Sequence, residues 1–259
     1  MSLTAPQRLL MDALLLSSPL AEGAWRRWLA STDLDCPDND SFHLLPALAS
    51  RMPAWLANEP RRTILLGICR RAWSRNQVQR KLLSDAVQIL VTAGIERVAA
   101  MGPIVWGPLY WPAGAIRPIG MVDLLIEPDL VRPAFEALSR AGWKIPNTIP
   151  ETRGRQLAFA GGTPLQSPSR RQVYVHWRVL PNTNLSLQHP EFPPLEALRP
   201  DLVAPYTIPP EHSSVVALAG THDDGIAWHF DALMICRQPG LRWKKVEALL
   251  RHRAAGKAQ

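Results

Sequence analysis

The sequence predicts an α+β fold, in which a small mixed β-sheet is flanked by an N-terminal and a C-terminal helical region. Apolar residues follow a helical period up to about residue 93 and again after about residue 211. Between these regions the pattern changes to short strand-like runs alternating with helical ones, which is typical of an α+β core. The predicted regions are a helical part at 1–93, an α/β core at 94–180, a proline-rich connector at 181–210 and a helical part at 211–259.

The first 93 residues are predicted to be helical because leucine and tryptophan recur every three or four positions. The longest run covers residues 60–93, where Pro60 suits a first helical turn and Gly94 suits a C-terminal cap. We expect the apolar face of this helix to pack on the sheet or on the C-terminal helices. Its arginines are expected to be mostly solvated.

The central region is predicted to contain four short strands, at residues 94–102, 120–128, 156–161 and 170–180. A short helix or turn at 103–111 and a helix at 130–145 lie between them, and the stretch GGTPLQSPSR is predicted to be a loop. The connector at 181–210 contains many prolines, so we expect it to be extended and irregular. Three further helices are predicted after residue 211.

The composition is that of an ordinary globular protein, with 47% apolar and 20% charged residues. The sequence contains no run of 18 apolar residues, so no membrane span is expected. The N-terminal apolar segment is interrupted by Asp12. This interruption favours an amphipathic helix over a signal peptide. Cys36, Cys69 and Cys236 are odd in number and far apart, which predicts neither a disulfide framework nor a zinc site. A cytoplasmic location is the resulting expectation.

The chain is basic, with a net charge of +7 that comes mostly from arginine. Such an excess indicates either a polyanionic partner or a solvated surface. The basic residues are scattered and lie mostly at helical spacing, which favours the solvated surface. Nucleic acid is therefore the less favoured partner.

Six motifs, taken in order, resemble those of a bacterial family of uncharacterised nucleotidyltransferases, a branch of the polymerase-β-like superfamily. They are HLLPALASRM (43–52), RAWSRNQVQ (71–79), GIERVAAMG (94–102), RPIGMVDLLIEP (117–128), YVHWRVL (174–180) and THDDGIAWHFD (221–231). The resemblance rests on the six motifs occurring in the same order as in the family, and it covers nearly the whole chain. It implies a sheet of nucleotidyltransferase type, and a protein of the kind found in biosynthetic or modification clusters.

The resemblance also places a metal site on the predicted strands. In the superfamily, two carboxylates on one strand and a third on a neighbouring strand hold two metal ions that bridge the nucleotide phosphates. This chain has Met121, Asp123 and Tyr174 at those positions. Where the family carries a lysine before a glycine, the chain has Met101 and keeps Gly102, whose backbone could still approach a phosphate.

These replacements predict that two-metal catalysis has been lost. Mg²⁺ prefers hard oxygen ligands, whereas a methionine offers a soft thioether and a neutral phenol is a poor ligand. Asp123 remains as the one candidate metal ligand, and Gly102 and Asp123 are the candidate nucleotide contacts. No cofactor is expected, and Mg²⁺ with a nucleoside triphosphate would be required only if the site is active.

Other side chains could complete or border this cleft. Glu127 and Asp129 could replace the missing carboxylates, but Glu127 lies roughly 13 Å along the strand from Asp123. Asp129 is expected to cap the following helix. His176 shares a strand face with Tyr174, so it either lines the cleft or packs beside the neighbouring tryptophan.

Two polar residues of the C-terminal motif, His222 and Asp231, are expected to be structural. Three functions then remain open: a non-catalytic binding or scaffold subunit, an active nucleotidyltransferase with a rearranged site, and a nucleic-acid-binding module that uses the arginine-rich helix. The first is favoured. Its expected partner is a protein or a peptide substrate; a nucleotide is possible and a membrane is not expected.

Overall fold

The architecture is α+β, with one mixed sheet and helices that precede it, interrupt it and follow it. The structure is a computed structural model that describes residues 3–34, 38–51, 53–146, 161–179, 193–198, 204–219 and 225–255. The predicted α+β class, with a mixed sheet and flanking helices, is confirmed.

Four helices form the N-terminal region. They are α1 (Ala5–Leu15), α2 (Leu20–Ser31), α3 (Asn39–Arg51) and α4 (Arg62–Thr92). Thr4 and Gln7 form a capping box at the start of α1, which satisfies backbone N–H groups that have no partner within the helix. In α2 the rings of Trp25 and Trp28 are stacked with their centroids 5.1 Å apart, and both side chains are buried.

Helix α4 confirms the prediction of one long helix that ends beside Gly94. Gly94 has a φ of 82°, a conformation that glycine adopts without steric cost. Leu83 and Leu90 of α4 are buried against residues of the sheet, as expected from the apolar stripe. The basic side chains of this helix are exposed at Arg70, Arg71, Arg75 and Lys81, and half-buried at Arg80.

Within the described residues, the sheet contains six strands in the order β3-β4-β2-β1-β6-β5. They are β1 (Ala99–Met101), β2 (Val122–Leu125), β3 (Gly162–Gln166), β4 (Gln172–His176), β5 (Glu196–Ala197) and β6 (Tyr206–Thr207). The pairs β1–β2, β3–β4 and β5–β6 are antiparallel, while β2–β4 and β1–β6 are parallel. The central strands are β2 and β1, which carry the candidate site.

The strand predictions need two corrections. The prediction of a loop for GGTPLQSPSR is wrong, because residues 162–166 form β3 and pair along their whole length with β4. The sheet also extends beyond residue 180, since β5 and β6 come from the proline-rich stretch that the sequence treats as irregular. The strand predicted at 156–161 lies outside the described residues except for its last position, which is not in a strand.

Five helices accompany or follow the strands. They are α5 (Pro103–Tyr110), α6 (Val131–Arg140), α7 (Pro210–Ala219), α8 (Gly225–Cys236) and α9 (Trp243–Ala255). One of them, α8, links two hydrophobic clusters of the molecule. Phe230 of α8 packs with the N-terminal helices, whereas Ile235 of the same helix packs with the sheet.

The two faces of the sheet differ in what covers them. Val122 and Leu124 of β2 point into the main core with α4, α5 and α6. Side chains of a strand alternate between faces, so Asp123 and Leu125 lie on the opposite face. There Leu125 joins a smaller apolar cluster with Ile208. The candidate site residues lie on this second face.

The described thiols agree with the prediction that no disulfide framework is present. Cys69 and Cys236 are free, and burial raises the pKa of both thiols. Cys36 lies outside the described residues. None of the helices in the described part of the chain is both long and apolar enough to cross a membrane.

Candidate functional site

One row of side chains crosses the sheet on its second face and brings together three of the residues that the resemblance singled out. Met101 of β1 lies opposite Asp123 of β2, and Asp123 lies opposite Tyr174 of β4. Pro164 of β3 completes the row at the edge. The predicted neighbourhood of Met101, Asp123 and Tyr174 is therefore present.

The carboxylate of Asp123 is in contact with two neighbours. Its Oδ1 lies 2.9 Å from Nε2 of His176, and both side chains are about one-fifth exposed, at 21% and 18%. With the proton on Nε2, the imidazole donates to the carboxylate. The other oxygen, Oδ2, lies against Gly102, since a Cβ on that glycine would be 3.0 Å from it. His176 therefore lines the cleft, and one oxygen of Asp123 already has a hydrogen-bond partner.

Gly102 forms the turn that joins β1 to α5. Its backbone has φ 73° and ψ −159°, which is a region that only glycine populates readily. Pro103 follows at the first position of α5, where its missing N–H has no cost. The turn thus brings the backbone of Gly102 close to Asp123.

The phenol of Tyr174 is directed toward the edge of the sheet. Its hydroxyl donates to the carbonyl oxygen of Gly162 on β3 at 3.4 Å, and its ring lies 4.6 Å from the ring of His176. A Cβ on Gly162 would be 2.8 Å from the tyrosine ring, so this glycine makes room for it. Tyr174 therefore packs on β3 and leaves no oxygen ligand beside Asp123.

The two methionines occupy different environments. Met101 is 3% exposed and packs with Ala99, Leu125 and Ile208. Met121 is 42% exposed and precedes β2 by one residue. Met101 is thus part of an apolar cluster, whereas Met121 lies at the rim of the strand and faces solvent.

The carboxylates considered as replacements do not join Asp123. Glu127 forms an ion pair with Arg97, with 2.7 Å between Oε1 and Nε. Asp129 lies in a short helical turn, Pro128–Leu130, that leads into α6. Across the described residues, no group of three His, Cys, Asp or Glu side chains could hold a metal ion. This donor set does not fit the two-ion site that the resemblance implies.

A buried ion pair near the cleft is the main polar feature whose partners the sequence did not predict. The Nη2 of Arg117 lies 2.8 Å from Oδ2 of Asp231, and the side chains are 1% and 0% exposed. The indole N–H of Trp111 donates to the other oxygen of Asp231 at 2.6 Å. The structural role expected for Asp231 is therefore confirmed, while His222 lies outside the described residues.

The turn that carries Arg117 is also held by α4. The side-chain amide of Asn76 donates to the carbonyl of Arg117 at 2.8 Å and accepts from the N–H of Ile119 at 2.9 Å. Gln79 donates to the carbonyl of Gly120 at 2.8 Å. Asn76, Arg117 and Asp231 belong to three separate motifs of the resemblance, and the fold joins them at one point. Together they fix the segment that leads into β2 and so position Asp123.

Comparisons with protein-family models, with curated proteins and with solved structures found no match to this chain. The resemblance to nucleotidyltransferases therefore rests on the motifs. The contacts described above are the observations that bear on function.

Proposed function

We propose that this chain is a nucleotidyltransferase-like protein that does not transfer nucleotides by the two-metal route and acts as a binding or scaffold subunit for a protein or peptide partner. The observation that carries this proposal is the row across the sheet. Asp123 lies between Met101 and Tyr174, and its carboxylate contacts His176 and Gly102.

The chemistry of the row supports the proposal that two-metal catalysis has been lost. Two divalent ions and a triphosphate require several anionic oxygens, because each ion must be neutralised and held in a fixed geometry. One aspartate beside a thioether and a phenol does not supply them. Each 1.36 kcal/mol of lost transition-state stabilisation lowers the rate about tenfold, so the loss of two ligands leaves a rate near background.

Two features support a relation to the nucleotidyltransferase fold. A glycine turn leads directly from β1 into the first turn of α5, and an aspartate on the neighbouring antiparallel strand lies against that turn. The motif residues Asn76, Arg117 and Asp231 form one connected hydrogen-bond network behind the site. The network gives the motifs a structural reason to occur together even where the metal ligands are replaced.

The alternative of an active, rearranged site is less well supported. It would require Glu127, Asp129 or His176 to act with Asp123 as metal ligands. Glu127 is paired with Arg97, and His176 already contacts the Asp123 carboxylate. The fold provides no second carboxylate in the row across β1, β2 and β4.

Restoring the carboxylates tests this account of the site. The double variant Met121→Asp, Tyr174→Asp is expected to bind Mn²⁺ at least about tenfold more tightly than the unmodified chain, because it adds anionic oxygens beside Asp123. Isothermal titration of Mn²⁺ into each protein measures the difference. The matched control Met121→Asn, Tyr174→Asn changes size similarly without adding charge and is expected to bind no better than the unmodified chain. Mn²⁺ binding by the unmodified chain that equals the Asp variant and disappears with Asp123→Asn would contradict the proposal.

A further inference from the structure

A groove lies between α4, α5 and the segment 115–119, and its lining does not include Asp123. Its volume is about 180 Å³. Residues of α4 form one wall, and Pro103, Gly107 and Ile116 contribute to the other. The floor is mostly apolar and closely packed, since a Cβ on Gly107 would lie 3.0 Å from the side chain of Arg117.

The α4 wall presents an aromatic ring between two cations. Arg70, Trp73, Gln77 and Arg80 follow each other at spacings of three or four residues, which places them along one side of the helix. Trp73, Gln77 and Arg80 line the groove, and Arg70 lies on the same side of the helix just beyond that lining. Trp73 is 56% exposed although tryptophan is usually well buried. Arg70 and Arg80 are ten positions apart, which is about 15 Å along a helix. Along the helix, Trp73 thus lies between the positions of two arginines.

The residues that line the groove include two cations, Arg80 and Arg117, and no carboxylate. Residues 60–84 contain seven lysines and arginines and no aspartate or glutamate, and residues 97–122 contain two arginines and no acidic residue. Arg117 is neutralised by Asp231, which reaches it from α8. Within the part of the chain that the structure describes, neither Arg70 nor Arg80 makes an ion pair. Their charge is therefore available to a ligand.

We propose that this groove binds single-stranded nucleic acid, with one base stacked on Trp73 and backbone phosphates contacting Arg70 and Arg80. A stacking ring flanked by cations in a groove is the arrangement that binds single strands without sequence preference. A double helix keeps its bases stacked on each other and cannot offer one to Trp73. An acidic peptide would neutralise the arginines but would leave the exposed indole without a flat partner. The surface is separate from Asp123, so the inference does not depend on the lost metal chemistry.

Fluorescence anisotropy with labelled 12-nucleotide strands of mixed-sequence DNA and RNA tests the proposal. At physiological salt the unmodified chain is expected to bind with a Kd tighter than about 100 µM. Trp73→Ala is expected to weaken binding roughly tenfold, which corresponds to the loss of one stacked base. Trp73→Phe keeps a ring and is expected to recover most of that loss. Because Trp73 is exposed, these variants are expected to fold, and thermal unfolding checks this.

Removal of the two cations separates this site from general charge attraction. Arg70→Ala with Arg80→Ala is expected to reduce the slope of log Kobs against log salt concentration by about 1.4, since two phosphate contacts on a single strand are lost. The control Arg27→Ala with Arg75→Ala removes the same charge at two exposed positions away from the side of α4 that carries Arg70, Trp73 and Arg80 and is expected to change that slope by less than about half as much. An equal loss in the control would overturn the proposal, as would undetectable binding of the unmodified chain in 50 mM salt. The proposal would also be overturned if a glutamate 12-mer bound as tightly as the 12-nucleotide DNA and RNA, or if Trp73→Ala left the binding of these oligonucleotides unchanged.

Discussion

Asp231→Ala is expected to lower the free energy of unfolding by about 3–5 kcal/mol, which is the usual effect of removing one partner from a buried ion pair. The guanidinium of Arg117 is 1% exposed and would remain in the core without its carboxylate. Trp111 would also lose the acceptor of its indole N–H. The effect is large because neither group can reach water to replace the missing contact.

Urea denaturation of the unmodified chain and the variant measures this difference. The matched control is Glu136→Ala, which removes one partner of the exposed pair with Arg132 and is expected to change stability by less than about 1 kcal/mol. A double variant, Arg117→Met with Asp231→Leu, is expected to recover much of the loss, because an apolar pair has no charge to desolvate. A loss of less than about 1 kcal/mol for Asp231→Ala would show that the network is not a structural element.

Gly102→Ala is expected to destabilise the fold by about 3 kcal/mol, for two separate reasons. The first is the backbone, because φ 73° with ψ −159° is a combination that an alanine rarely adopts. The second is space, because the new Cβ would lie 3.0 Å from Oδ2 of Asp123. The carboxylate or the turn would have to move, and the start of α5 would move with it.

Gly94→Ala provides the matched control for this change. Gly94 also has a positive φ, of 82°, but a Cβ there meets no atom within 4 Å. We expect Gly94→Ala to lower the free energy of unfolding by about 1 kcal/mol, because only the unfavourable backbone conformation contributes there. Thermal or urea unfolding of both variants gives the comparison. Equal effects at the two glycines would mean that the contact between Gly102 and Asp123 contributes nothing to stability.

The helices could be predicted from the sequence because their signals are local. The run at 60–93 carries a long apolar stripe with Pro60 near its start and Gly94 after its end, and α4 occupies residues 62–92. The short PIVWGPLYW segment, for which the sequence predicts either a helix or a turn, forms α5 after the Gly102 turn. In each case the residues that begin or end the element lie within a few positions of it.

The edge of the sheet could not be predicted in the same way. Strand β3 has the sequence GTPLQ, in which glycine and proline oppose a strand and no alternation is visible. It forms because β4 supplies partners along its whole length. Strands β5 and β6 contain two residues each, which is too short for any period to appear.

Part of the candidate site could be predicted from the sequence, namely the residues that lie side by side on neighbouring strands. The register that places Asp123 beside Met101 and Tyr174 agrees with the neighbourhood that the motifs implied. The ion pair of Arg117 with Asp231 joins residues 114 positions apart, and no local pattern indicates such a partner. The contact between His176 and Asp123 likewise depends on the parallel pairing of β2 with β4, which only the fold reveals.

The most direct test of the central claim is an assay for nucleotidyl transfer by the unmodified chain. The protein is incubated with labelled nucleoside triphosphates, Mg²⁺ or Mn²⁺, and candidate protein and nucleic-acid acceptors, and the label on each acceptor is measured. Because the row on the sheet offers Asp123 alone as an anionic ligand, the expected result is no label above background and no difference between the unmodified chain and Asp123→Ala. Robust transfer that disappears with Asp123→Ala would contradict the account and show that the site is rearranged and active.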